Sequence, residues 1–114
     1  MQARALDEDG IHILRVEGEI DLETSPDLRE LLASQIEARR PRLLIDFSNV
    51  TYIDSSGLAT LVEYVQKSMK FGGHLALAGI SERLRTVFDL ARLGEIFAIY
   101  ATVPEAKAAL AQGA

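Results

Sequence analysis

The chain has 114 residues, enough for one domain with a real core and too few for two, so residues 1–114 are expected to form a single unit. Twelve Lys and Arg against 17 Asp and Glu leave a formal charge of −5, which argues against direct, sequence-independent nucleic-acid binding, because phosphates call for a basic surface. There is no cysteine for disulfides or thiolate metal ligands, and no apolar run approaches the roughly 20 residues that cross a bilayer. Residues 1–7 lack an apolar signal core, so the expectation is a cytoplasmic domain without membrane insertion.

Residues 2–6 suggest a short edge strand, Asp9-Gly10 a turn, and Ile11 to Val16 a strand rich in branched side chains, together a hairpin. Residues 17–22 read as a short acidic loop. Thr24-Ser25-Pro26-Asp27 opens a helix with a hydroxyl cap, a proline in the first turn and an acid at the positive end of the dipole. Leu28, Leu31, Leu32 and Ile36 form its apolar stripe, Arg39-Arg40 fall in its last turn, and Pro41 stops it. Arg42 to Phe47 is the central strand, whose unbroken Leu43-Leu44-Ile45 run suggests burial on both faces. Residues 48–53 then read as a connection.

A second helix carries Leu58, Leu61, Val62, Val65 and Met69 on one stripe, with a Glu63–Lys67 pair outside and Gly72-Gly73 at its end. His74 to Ala78 is another strand. Ser81 caps a helix bearing Leu84, Val87, Phe88 and Ala91, which Gly94 stops, and Ile96 to Tyr100 is the last strand. Thr102-x-x-Glu105 is a capping box for a final helix with Ala106, Ala109 and Leu110 inward, and residues 112–114 should fray. Strands and helices alternate with short connections, the pattern of an α/β domain with parallel strands and right-handed crossovers.

Catalytic chemistry finds little support. A nucleophile elbow needs G-x-S-x-G, and Ile53-Asp54-Ser55-Ser56-Gly57 lacks the first glycine. The two histidines, His12 and His74, both fall within strands, and neither phosphate-cradling glycine motif occurs. Isolated histidines and scattered acids offer no converging metal ligands, so no cofactor, metal or enzymatic activity is expected. Glu19 and Asp21 read as a solvated acidic loop.

Tyr52-Ile53-Asp54-Ser55-Ser56-Gly57-Leu58 stands apart, at the mouth of the second helix. As a polar cap it would contribute about 1 kcal/mol to that helix. A single cap needs one hydroxyl or acid, however, and here three capping-competent residues stand in a row. Gly57, moreover, would leave the first turn bare enough for another protein's backbone to come close.

Ile53-Asp54-Ser55-Ser56-Gly57-Leu58 resembles the signature of bacterial anti-sigma factor antagonists, the stand-alone STAS domains. Gly18-Glu19-Ile20-Asp21, then Leu43-Leu44-Ile45-Asp46-Phe47 with Val50 and Ile53, resemble further family segments in the same order. So do Gly72-Gly73 and the Leu84–Leu93 stretch with Gly94. The resemblance implies a mixed sheet flanked by helices, built as successive β-α superhelical turns after an N-terminal hairpin. It also implies a phosphoprotein that acts by partner switching in transcription regulation. The unphosphorylated form binds an anti-sigma factor, often itself a serine kinase, and so frees a sigma factor. The kinase modifies the first serine after the aspartate, here Ser55, and a PP2C-type phosphatase reverses it. Asp54, Ser56 and Gly57 would share the partner surface, with Asp21 and Glu19 in a nearby loop. The competing expectation is a non-switching STAS subunit of a lipid-transport ABC complex or another scaffold.

Overall fold

The strand opened by Ile11 does not stop at Val16. In the computed structural model, which describes residues 1–112, β2 covers Ile11–Ile20, so residues 17–20 end a strand and do not form a loop. Alternation accounts for the extension: Leu14, Val16 and Ile20 enter one core, with Gly18 between them at a φ of +91°. The turn at Asp9-Gly10, both residues at positive φ, joins β2 to an antiparallel edge strand, β1, Gln2–Glu8.

β3 covers Arg42–Ile53, so residues 48–53 also belong to a strand and not to a connection. It pairs with β2 in parallel, but the register slips between Arg15 and Glu17 and again between Gly18 and Glu19. Each slip leaves one extra residue on β3, and such bulges break the two-residue period. The inward residues Phe47, Val50 and Ile53 therefore recur at every third position, a spacing that does not look like a strand.

The remaining elements are α1 (Ser25–Glu37), α2 (Ser55–Ser68) with a following 3₁₀ turn (Met69–Phe71), β4 (His74–Ala78), α3 (Glu82–Leu90), β5 (Ala98–Tyr100) and α4 (Val103–Ala111). The sheet order is β1-β2-β3-β4-β5, with β2 to β5 parallel. Every crossover steps one strand in the same direction, and right-handed connections then put α1, α2 and α3 on one face. The larger core lies there: Leu28 and Leu32 of α1, Leu58, Leu61 and Tyr64 of α2, and Leu84 and Phe88 of α3 cover Leu14, Leu43, Ile45 and Phe47. Phe88 meets Phe47 and Phe97 edge to face, at centroid distances of 6.2 and 5.6 Å. On the other face α4 sets Ala106 and Leu110 against Ile11, Ile13, Leu44 and Ala76. The Leu43-Leu44-Ile45 run is thus buried from both sides, as its composition suggests. Among the described residues, no helix is long and apolar enough to cross a membrane.

Several helix ends differ from the sequence expectation. Thr24 provides no side-chain cap to α1, whose last turn holds no base; Arg39, at a φ of +50°, and Arg40 lie beyond its end. Met69 is 71% exposed, and Tyr64 fills the core position on α2 instead. Ala91 lies outside α3 and is exposed, and β5 is shorter than expected, leaving Ile96 outside it. Ser81 and Thr102 do cap α3 and α4, each accepting a backbone N–H at 3.3 Å. Of the residues expected to fray, Gly113 and Ala114 lie outside those described.

Candidate functional site

Ile20 and Ile53 are paired at the ends of β2 and β3, so Asp21 and Asp54 leave the sheet side by side. The Asp54 N–H donates to the Ile20 carbonyl at 3.1 Å and ties the start of α2 to the end of β2. Asp54 is the N-cap of α2, with extended backbone. Its Oδ1 accepts the Ser56 and Gly57 N–H groups at 2.9 and 3.2 Å and the Ser56 hydroxyl at 2.5 Å. The Ser56 hydroxyl, followed by the N–H groups of Gly57, Ser56 and Leu22, holds the Asp54 carboxyl below its ordinary value against the opposing effect of burial.

Two of the three capping-competent residues are therefore used by the cap. Ser55, the first residue of α2, is exposed, and its hydroxyl has no hydrogen-bond partner among the described residues. It stands at the positive end of the helix dipole, where a negative group is tolerated.

Gly57 is not the bare surface position that the sequence suggests. It is buried, and a Cβ there would lie 2.7 Å from both Ile20 Cγ2 and Ile53 Cγ1. The missing side chain lets α2 seat on the ends of β2 and β3; no partner backbone has access to that side.

Asp21 organises the path into α1. Its Oδ1 accepts the Glu23 and Thr24 N–H groups, each at 3.0 Å, and its carbonyl accepts the Ser25 N–H at 2.7 Å. The Thr24 hydroxyl donates to the Glu19 carbonyl and accepts the Asp21 N–H, both at 2.9 Å. Glu19 itself does not join the loop: it lies in β2 and alternates with inward Ile20, so its side chain faces away from α2.

Sequence reasoning passed over Leu22. It follows Asp21, is 77% exposed, and its N–H acts on the Asp54 carboxylate. The available signal was an apolar residue standing between two acids. The histidines lie elsewhere: His12 and His74 pair with Leu43 and Arg42, at the end of β3 remote from Asp54. His12 is buried with its Nδ1 2.7 Å from Asp7 Oδ1. The site thus offers one uncommitted hydroxyl, framed by two carboxylates that hold backbone N–H groups and by one exposed apolar side chain.

A family model described as the STAS domain matches residues 2–106. The anti-sigma-B factor antagonist of Bacillus subtilis (strain 168) is 39% identical over 88 residues, which are 77% of this chain and 80% of that protein. The crystal structure of an anti-sigma factor antagonist from Mycobacterium paratuberculosis aligns with a TM-score of 0.87 at 30% identity, covering 95% of this chain and 92% of that one. The Bacillus cell fate determinant SpoIIAA in its phosphorylated form aligns with a TM-score of 0.73 over 96% of this chain and 99% of the other; at 21% identity this is a likeness of fold alone.

Proposed function

The chain belongs to the STAS domain family, and from that premise we propose that it is an anti-sigma factor antagonist switched by phosphorylation of Ser55. The observation that carries this reading is the division of labour at the start of α2. Asp54 and Ser56 are consumed by the cap, while the neighbouring Ser55 hydroxyl is exposed and unpaired among the described residues. A kinase can reach it without disturbing the helix.

In this reading the unphosphorylated protein docks an anti-sigma factor, itself a serine kinase in many such pairs, on the surface around Asp21, Asp54, Ser55 and Ser56. Leu22 supplies an apolar anchor, and Gly57 contributes by seating the helix. Phosphorylation adds about −1.5 to −2 charges at neutral pH. The helix dipole accepts such a group, so the fold persists. Across an interface the dianion stands beside Asp54 and Asp21, and like-charge juxtaposition there costs several kcal/mol. The partner is released, and a PP2C-type phosphatase resets the switch.

Incubation with the cognate kinase and ATP, followed by mass spectrometry, should place one phosphate on Ser55 and none on Ser56. Phosphate on Ser56 instead, or a Ser55→Asp protein that binds the anti-sigma factor as tightly as wild type, would sink the proposal.

A further inference from the structure

The opposite end of α2 holds a cavity that the switch does not use. It has a volume of about 240 Å³ and is lined by Ile36, Arg39, Lys67, Lys70 and Phe71, where the chain leaving α1 meets the end of α2. Three cations converge on it, and no acid lines it, in a protein with 17 acids against 12 bases. Lys67 is anchored by Glu63 at 2.8 Å, and Glu63 also accepts from Arg29 at 3.0 Å. Arg39 and Lys70 form no ion pair among the described residues, so their charges are free for a ligand. Ile36 and Phe71, both half-buried, supply an apolar wall. Gly73 leaves the room that the Phe71 ring occupies, since a Cβ there would lie 2.9 Å from Phe71 Cε1.

Bases near helix C-termini often do no more than complement the dipole. That accounts for Lys67 and Lys70, in the last turns of α2 and of its 3₁₀ extension, but not for their meeting Arg39, from the end of α1, around one concave apolar surface. We infer that this cavity binds a small organic carboxylate, with Arg39 and Lys70 taking the carboxylate and Ile36 and Phe71 taking a short aliphatic or aryl body. A guanidinium matches a carboxylate in a two-bond fork, and the volume is below the roughly 300–1,000 Å³ of drug-sized sites, so the ligand is small. The inference is independent of what Ser55 does.

An amide chemical-shift titration with sodium hexanoate tests it, with sodium acetate and 1-hexanol as arms that remove the apolar body or the charge. Saturable shifts confined to residues 36–39 and 67–73 are expected, with both controls weaker by at least about fivefold, the worth of two partly exposed charge contacts or a few buried methylenes. The double variant Arg39→Gly, Lys70→Ala should lose a similar factor. Glycine suits the left-handed backbone at position 39, and both side chains are exposed, so this variant folds. Hexanol binding as tightly as hexanoate, an unchanged affinity in the double variant, or the absence of saturable shifts would each overturn the assignment.

Discussion

The starts of α1 and α2 are built from the same materials and come out differently. Each follows a parallel strand, each is preceded by an aspartate whose Oδ1 accepts two backbone N–H groups, and each carries two hydroxyl residues at its mouth. At α1 neither hydroxyl is open to a partner: Thr24 bridges the Glu19 carbonyl and the Asp21 N–H, and Ser25, whose hydroxyl forms no hydrogen bond among the described residues, is buried. At α2 only Ser56 is taken, and Ser55 faces solvent without a partner among the described residues. A surplus polar group is a better pointer to a site than a polar cluster, because the cluster is largely explained by the backbone it satisfies.

The largest effect expected is on binding. Ser55→Asp should weaken the complex with the anti-sigma factor by about 100-fold or more, the equivalent of the roughly 3 kcal/mol that like charges cost at an interface. Its unfolding free energy should stay within about 0.5 kcal/mol of wild type, as for other exposed substitutions. Calorimetry on both proteins measures the first and urea unfolding the second. If the variant unfolds early, the Ser55 hydroxyl was holding the fold after all and the contrast with α1 disappears.

Gly57→Ala comes next. The new methyl would meet Ile20 and Ile53 at 2.7 Å, so α2 must lift from the sheet. Overpacking of this kind costs about 1–3 kcal/mol, readable as a lower urea midpoint at unchanged slope. Partner binding should weaken too, through the displaced helix, although Gly57 itself is covered.

The two aspartates, Asp54 capping α2 and Asp21 holding the turn ahead of α1, separate the helix starts at a smaller scale. Asp54→Ala and Asp21→Ala should each destabilise by about 1–2 kcal/mol, since each leaves two N–H groups without their acceptor. Ser55→Ala should cost less than about 0.5 kcal/mol. Equal losses in all three would mean that Ser55 belongs to the cap, and the argument from surplus would fail.

How much of this the sequence disclosed follows from which interactions are local. The N-caps at Asp54, Ser81 and Thr102 reach only two or three residues along the chain, and their side chains announce them. The double-sided burial of Leu43-Leu44-Ile45 was equally legible, because an unbroken apolar run has no polar face to expose. The far end of β3 was not: its two bulges turn a period of two into a period of three at Phe47, Val50 and Ile53, and only pairing with β2 makes that a strand. Gly57 failed for a related reason, since its meaning lies in packing against Ile20, 37 positions away in the chain, as well as against nearby Ile53. Ser55, Ser56 and Asp54 could be named together from sequence, but which hydroxyl was free depended on the rotamers around one carboxylate oxygen.

The smallest predicted effect concerns the charge on that carboxylate. Asp54 has a folded pKa below its ordinary 3.8, chiefly through the Ser56 hydroxyl. A depressed acid stabilises the fold above its unfolded pKa, and the contribution is lost as pH falls through the folded one. Asp7, held down first by His12, and Glu63, held down first by Lys67, lose stability in the same acid range, so wild-type acid unfolding alone does not isolate Asp54. The difference between wild type and Asp54→Asn does. It should be flat from about pH 7 to about pH 5 and shrink as acid protonates the native carboxylate. A difference that stays constant into strong acid would mean that the cap works by hydrogen bonding alone, with no role for the charge. Phosphorylated protein sharpens the test. A phosphate on Ser55 raises the folded pKa of its neighbour, so the same difference should be smaller near neutral pH and its loss should be complete at a higher pH than in the unmodified protein. A curve unmoved by the phosphate would place Ser55 and Asp54 too far apart electrostatically to act on one partner surface.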